Sequence, residues 1–108
     1  MAKAKICAGI CGFNTTVQTK MEDDIVRIQI QSDCAAINRL GAELTEVNPF
    51  QEISFRRSGP LTLQLGQKFC SHTACPVPVG IIKAIEVEAG LALPADATIH
   101  VERDTIPD

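Results

Sequence analysis

The chain has 108 residues, 45% of them hydrophobic but only 4% aromatic, with no Trp and no Tyr. That excludes a disordered tail and calls for one small domain with an aliphatic core. The net charge is −3, and the one adjacent basic pair, Arg56-Arg57, is flanked by Ser58-Gly59-Pro60 and reads as a solvated loop. A surface built for phosphates is therefore excluded, and no nucleic acid partner is expected.

Lys3–Cys7 reads as a short strand, and Ala8–Asn14, with Gly9 and Gly12, as a loop. Thr15–Met21 and Ile25–Ser32 both alternate. In the second of these Val26, Ile28 and Ile30 face one way, and Arg27, Gln29 and Gln31 the other. With Glu22-Asp23-Asp24 as a charged turn, the two predict an antiparallel hairpin with one solvated face. Ser32-Asp33 then offers an N-cap for a helix over Cys34–Val47, whose stripe is Cys34, Ile37, Leu40, Gly41, Leu44 and Val47. Gly41 weakens that helix and marks a close approach by another element. Asn48-Pro49 stops it.

Residues 49–69 are the least legible. LTLQL alternates as a strand does, but the spacing of Leu61, Leu65 and Phe69 favours a helix. Pro76–Gly90 predicts a second strong helix, with Pro78 in its first turn, a stripe of Ile81, Ile82, Ile85 and Ala89, and Gly90 as C-terminal cap. Thr98–Glu102 (TIHVE) alternates as a last strand with Ile99 and Val101 inward and His100 on the solvated face. Residues 1–103 form a single cysteine-rich domain and residues 104–108 a short tail. The expected class is α/β in the broad sense, of α+β type. It has one mixed or antiparallel sheet of about four strands and two or three helices on one face, in the order β-β-β-α-(α)-α-β.

No apolar stretch follows the basic start to make a signal peptide, and no uncharged run approaches a membrane span. A cytoplasmic protein with no membrane partner is the expectation. In a reducing compartment, five cysteines in so short a chain point to metal binding or catalysis before structural disulfides. All five lie at expected element boundaries. Cys7 ends a strand, Cys11 sits in the Gly-flanked loop, Cys34 opens a helix, and Cys70 and Cys75 flank a turn into another. A helix N-terminus presents free N–H groups and the positive end of the macrodipole, which favours a thiolate at Cys34 or Cys75. Thiolates are the ligands of soft metals, zinc and iron–sulfur clusters.

The expected ligands are Cys7, Cys11, Cys34 and Cys75, with Cys70 or His72 as alternates. The cofactor is an iron–sulfur cluster or zinc, in a scaffold, carrier or sensor without turnover. Two alternatives stand beside it. One is a thiol redox protein in which Cys34 attacks and Cys75 resolves, with His72 as a base. The other is an interaction domain with inert thiols and His72 as a plain turn residue. Asp33 is first an N-cap and only secondarily a support for Cys34. The spacings, C-x-x-x-C and C-x-x-x-x-C, match no zinc ribbon or ferredoxin run. No Ser-His-Asp order, Walker loop or dinucleotide fingerprint is present.

The segment CSHTACPVPVGIIKAIEVEAGLALPADATIHVE resembles the cluster-binding part of NifU-type (Nfu) iron–sulfur scaffolds. There a cysteine pair and Pro open an amphipathic helix that leads to a Leu- and Pro-containing end and a Val-rich strand. Cys75-Pro76, Lys83, Ile85-Glu86 and Pro94 stand in those roles. The family's pair is C-x-x-C, whereas four residues separate Cys70 from Cys75. The resemblance implies a cluster scaffold that is a homodimer or that meets a redox or cluster-accepting protein. Taken whole, the chain resembles a small uncharacterised family of cysteine-rich proteins of anaerobic prokaryotes. The likeness lies in Ile10–Phe13, Ser32–Cys34 and the H-x-x-C-P-V-P turn at His72–Pro78. It implies that these cysteines belong together.

Overall fold

The computed structural model describes residues 1–56 and 59–104. Three strands lead the chain: β1 (Ala2–Cys7), β2 (Asn14–Glu22) and β3 (Ile25–Ser32). They form an antiparallel meander, and the two-residue β4 (Glu46–Val47) pairs with β3 to complete a sheet of order β1-β2-β3-β4. The register sets Val17 opposite Ala4 and Ile30, and Met21 opposite Val26. Period-two alternation then gathers the apolar side chains on one face. Lys3, Lys5, Lys20, Arg27, Gln29 and Gln31 are left on the other, where all six are open to solvent. Asp23 turns the hairpin at φ 56°, a left-handed conformation that Asp tolerates better than most residues.

Among the described residues four helices follow: α1 (Ala35–Glu43), α2 (Pro49–Glu52), α3 (Leu61–Phe69) and α4 (Val77–Glu88). On the apolar face α1 lies against β3, α4 lies against β1 and β2, and α3 contacts both of these helices. The core is aliphatic: Val17, Val26 and Ile28 of the sheet meet Ile37, Leu40 and Leu44, and Val77, Ile81 and Ile85 of α4. The class is thus α+β with a four-stranded antiparallel sheet. Two close approaches depend on glycine. A Cβ at Gly41 would stand 3.0 Å from Ile30 Cβ, and one at Gly80 would stand 2.3 Å from Ile6 Cδ1. The first is the contact expected at Gly41. The second brings α4 down onto β1.

Buried polar groups fasten the helices. The Glu88 carboxylate accepts hydrogen bonds from the Ala2 N–H at 2.5 Å and the Met21 N–H at 2.8 Å, tying the end of α4 to two strands. Burial pushes its pKa up. The Met21 and Ala2 amides and the N-terminal ammonium outweigh this and hold it below the ordinary carboxylate value. Glu52, 3% exposed, accepts from the Leu61 and Thr62 N–H groups and from Thr62 Oγ1, so a side chain from α2 caps α3. Gly90, at φ 74°, ends α4 as expected, with Gly90 N–H donating to Val87 O and Leu91 N–H to Glu86 O.

The course of the elements departs from the sequence reading at three places. The helix expected over Cys34–Val47 stops at Glu43, because Thr45 O accepts from Ile28 N–H and draws Glu46–Val47 onto β3. Residues 49–69 supply two helices, α2 capped by the Asn48 side chain and α3, in place of one ambiguous stretch. Thr98–Glu102 is not a strand: alternation alone gives no ladder without a neighbour to pair with, and Ile99 and Val101 stand in solvent. The loop expected at residues 56–60 and the tail at 104–108 fall partly on residues 57–58 and 105–108, outside the described set. Among the described residues no helix is long and apolar enough to cross a membrane.

Candidate thiol site

The topology carries all five cysteines to one end of the molecule. Cys7 closes β1 and pairs with Asn14 at the start of β2. Asn14 N–H donates to Asp33 Oδ2 and Asp33 N–H returns a bond to Asn14 O, which sets the end of β3 and Cys34 beside them. The Cys11 loop is a tight excursion between Cys7 and Asn14. It is closed by Ala8 N–H to Phe13 O and Gly12 N–H to Gly9 O, with both glycines at positive φ. From the other side, α3 ends at Cys70, and Cys75 stands just before Pro76, the N-cap of α4. The Gly80–Ile6 approach holds the start of α4 against the end of β1.

Within this end, Cys34, Cys70 and Cys75 are half-buried and lie against the core, whereas Cys7 and Cys11 are exposed. All five thiols are free. Burial pushes the Cys70 thiol up to about 11, and the neighbouring Cys75 and then Cys34 add to the shift. Thus three cysteines from three elements share one microenvironment, and Cys70, an alternate by sequence, is its centre. Cys70 also ends α3 at the negative pole of that helix, which further disfavours a lone thiolate.

Cys34 is itself the N-cap residue of α1 and makes no side-chain cap bond, so the cap expected of Ser32-Asp33 is not formed. Asp33 is spent on Asn14 instead, because it lies opposite β2 and not over the helix. Ser32 is the residue the sequence reading undervalued. Its hydroxyl accepts from Cys34 N–H at 3.0 Å and shares a 2.7 Å bond with Thr15 Oγ1, fixing where the Cys34 backbone sits. Asn38 locks the same corner by accepting from Ser32 N–H and donating to Ser32 O. The S-x-C pattern was the visible trace of this arrangement.

His72 is exposed in the turn, and its carbonyl accepts from Cys75 N–H. His100 is remote in sequence from the thiols and pairs with Glu102 at 2.7 Å on an exposed segment. Among the described residues, no three His, Cys, Asp or Glu side chains are placed so that they could hold a metal ion. The donor chemistry of the three gathered thiols suits a thiophilic ion or cluster, although they are not arranged as a ready ligand set. Two open clefts, of about 490 and 280 Å³, are lined by Thr16, Gln18, Ile30 and neighbours and by Ile53, Phe55, Val79 and neighbours, and no cysteine lines either.

No curated protein and no solved structure matches the chain. A family model does, over residues 2–101, a span that contains every cysteine, the S-x-C corner, the H-x-x-C-P-V-P turn and the exposed stretch after α4. The chain belongs to that family, a family of unknown function (DUF6951).

Proposed function

We propose that the protein binds a thiophilic metal ion or an iron–sulfur cluster through Cys34, Cys70 and Cys75, and acts as a scaffold, carrier or sensor. The observation that carries this reading is the gathering of these three half-buried thiols, with Cys70 raised to about 11 by burial and by its two neighbours. A thiol raised as Cys70 is, with two others beside it, gains most from a cation, whose charge reverses the balance and stabilises the thiolate. Binding must draw the sulfurs closer. The exposed turn at residues 71–74, between two helix ends, is the short segment able to shift Cys75 toward Cys70. Cys7, Cys11 and His72 stand at the same end as donors to complete the set.

The Cys-Pro opening of α4 agrees with the likeness to Nfu-type segments, though the closing strand implied by that likeness is not formed within this chain. A reducing cytoplasm, in an anaerobic prokaryote, is the setting that suits five free thiols and an oxygen-labile cluster. The proximity of Cys75 to Cys70 favours a second reading, a dithiol carrier. The two thiols would form one disulfide, and their two electrons and two protons would pass to a disulfide on a partner protein, which becomes a dithiol.

The test is iron, zinc and acid-labile sulfide content, with an absorption spectrum, on protein purified without oxygen and again after reconstitution. Metal should be present in the wild type and lost in Cys34→Ser, Cys70→Ser and Cys75→Ser, with folding retained by circular dichroism. Failure to take up iron–sulfide or zinc, combined with reversible Cys70–Cys75 disulfide formation, would establish the dithiol reading instead. Retained metal in all three variants would refute the assignment of the ligands.

A further inference from the structure

The segment after α4 alternates like a strand and pairs with no strand among the described residues. Leu93, Ile99 and Val101 are 89%, 81% and 83% exposed, on a stretch where TIHVE alternates apolar and polar residues. The family match runs through Val101, so most of this stretch lies within the matched span. The molecule measures 60 Å along its long axis against 28 and 27 Å across, and its radius of gyration of 14.8 Å exceeds the roughly 13 Å of a compact chain of this length.

The sheet, for its part, has an unpaired edge. Ile28 N–H points at β4, so the backbone groups of its neighbours Arg27 and Gln29 point at β2. Carrying that alternation across the sheet turns the backbone of Ala2, Ala4 and Ile6 toward β2, in keeping with Ala2 O accepting from Thr19 Oγ1. The N–H and C=O groups of Lys3, Lys5 and Cys7 are left facing outward. Among the described residues no strand lies beyond β1.

We infer that Thr98–Glu102 adds as a strand to the outer edge of β1 in a second copy of this chain. The side chains match on both faces. Ile99 and Val101 would continue the apolar face beside Ala4 and Ile6, which are only half-buried and wait for a neighbour. Glu102 would lie on the polar face with Lys3 and Lys5, opposite in charge. Lysines on an edge strand otherwise discourage pairing, so the match selects an acidic incoming strand over indiscriminate association. The copy that receives the segment is a different one because within its own chain Thr98–Glu102 forms no ladder and Ile99 and Val101 stand in solvent, even though α4 ends beside Ala2 through Glu88. A two-fold exchange gives each protomer one added strand and closes the assembly as a dimer.

The experiment is light scattering after size exclusion on the full chain and on three variants. One is truncated after Asp96, one carries Ile99→Asp with Val101→Asp, and one carries Lys5→Pro. The proline removes an outward N–H together with the Lys5 charge and leaves the β1–β2 ladder intact. The full chain should have twice the chain mass, and each variant the mass of one chain with unchanged circular dichroism. Hydrogen exchange should show the Lys3, Lys5 and residue 99–101 amides protected in the full chain alone. A monomeric wild type, or a dimer that survives both truncation and Lys5→Pro, would overturn the inference. A monomer with residues 99–101 protected would also overturn it, by placing the strand on its own sheet.

Discussion

Cys70 concentrates the electrostatics of the site in one side chain. Its thiol is raised from 9.0 to about 11, by burial first and by Cys75 and Cys34 after it. Alkylation requires the thiolate, so in the metal-free protein Cys70 should react slowly at neutral pH and speed up only as pH rises toward about 11. Cys75→Ser removes one neighbour and should shift that profile to lower pH, read by mass spectrometry of iodoacetamide adducts. The same shift has a stability consequence. A thiol that holds its proton more tightly folded than unfolded stabilises the native state at neutral pH. That contribution is lost between 9.0 and about 11 as pH rises. Cys70→Ser should flatten the alkaline limb of the stability curve. An unchanged limb would show that the half-exposed thiol is screened.

At the scale of elements, the strands and α4 were legible because their signals are local. Val26, Ile28 and Ile30 alternate, Pro78 starts a helix and Gly90 ends one, and each lies within or directly beside the element it defines. The missed features depend on partners distant in sequence. Thr45–Val47 leaves the helical path because β3 offers Ile28 N–H, and α3 is capped by Glu52, which no residue of α3 announces. The Gly80–Ile6 approach is of the same kind: an isolated Gly in a helix says only that something comes close. Gly80→Ala should destabilise by about 1–3 kcal/mol through overpacking against Ile6. The double variant with Ile6→Ala should cost less than the sum of the single changes, since the obstructing Cγ1 and Cδ1 are gone. Additive losses in chemical denaturation would mean that α4 does not depend on this contact.

For the whole molecule, the sequence placed the cysteines at element boundaries. It could not show that those boundaries share one end, because that follows from the meander's turns and from the direction of α4. Cys7 and Cys75 are brought to the same end only through the fit of α4 on β1 and β2. Nor could it rank the thiols. Cys70 became central through its burial beside Cys75 and Cys34, which no spacing rule reports.

The bond from Ala2 N–H to Glu88 joins residues 86 apart in the chain, while β1, β2 and β3 are joined by short connections. Loop-closure entropy therefore favours the meander first and the docking of α4 last. Until that last step Cys75 is not held beside Cys70, so the thiol cluster has a birth time later than the sheet that supports it. Pulse alkylation during refolding should find Cys70 and Cys75 accessible after strand signals have recovered, then protected together in the final phase. The kinetics would make the newly made chain, before α4 closes, the form in which the thiols are most open to loading and to oxidation alike.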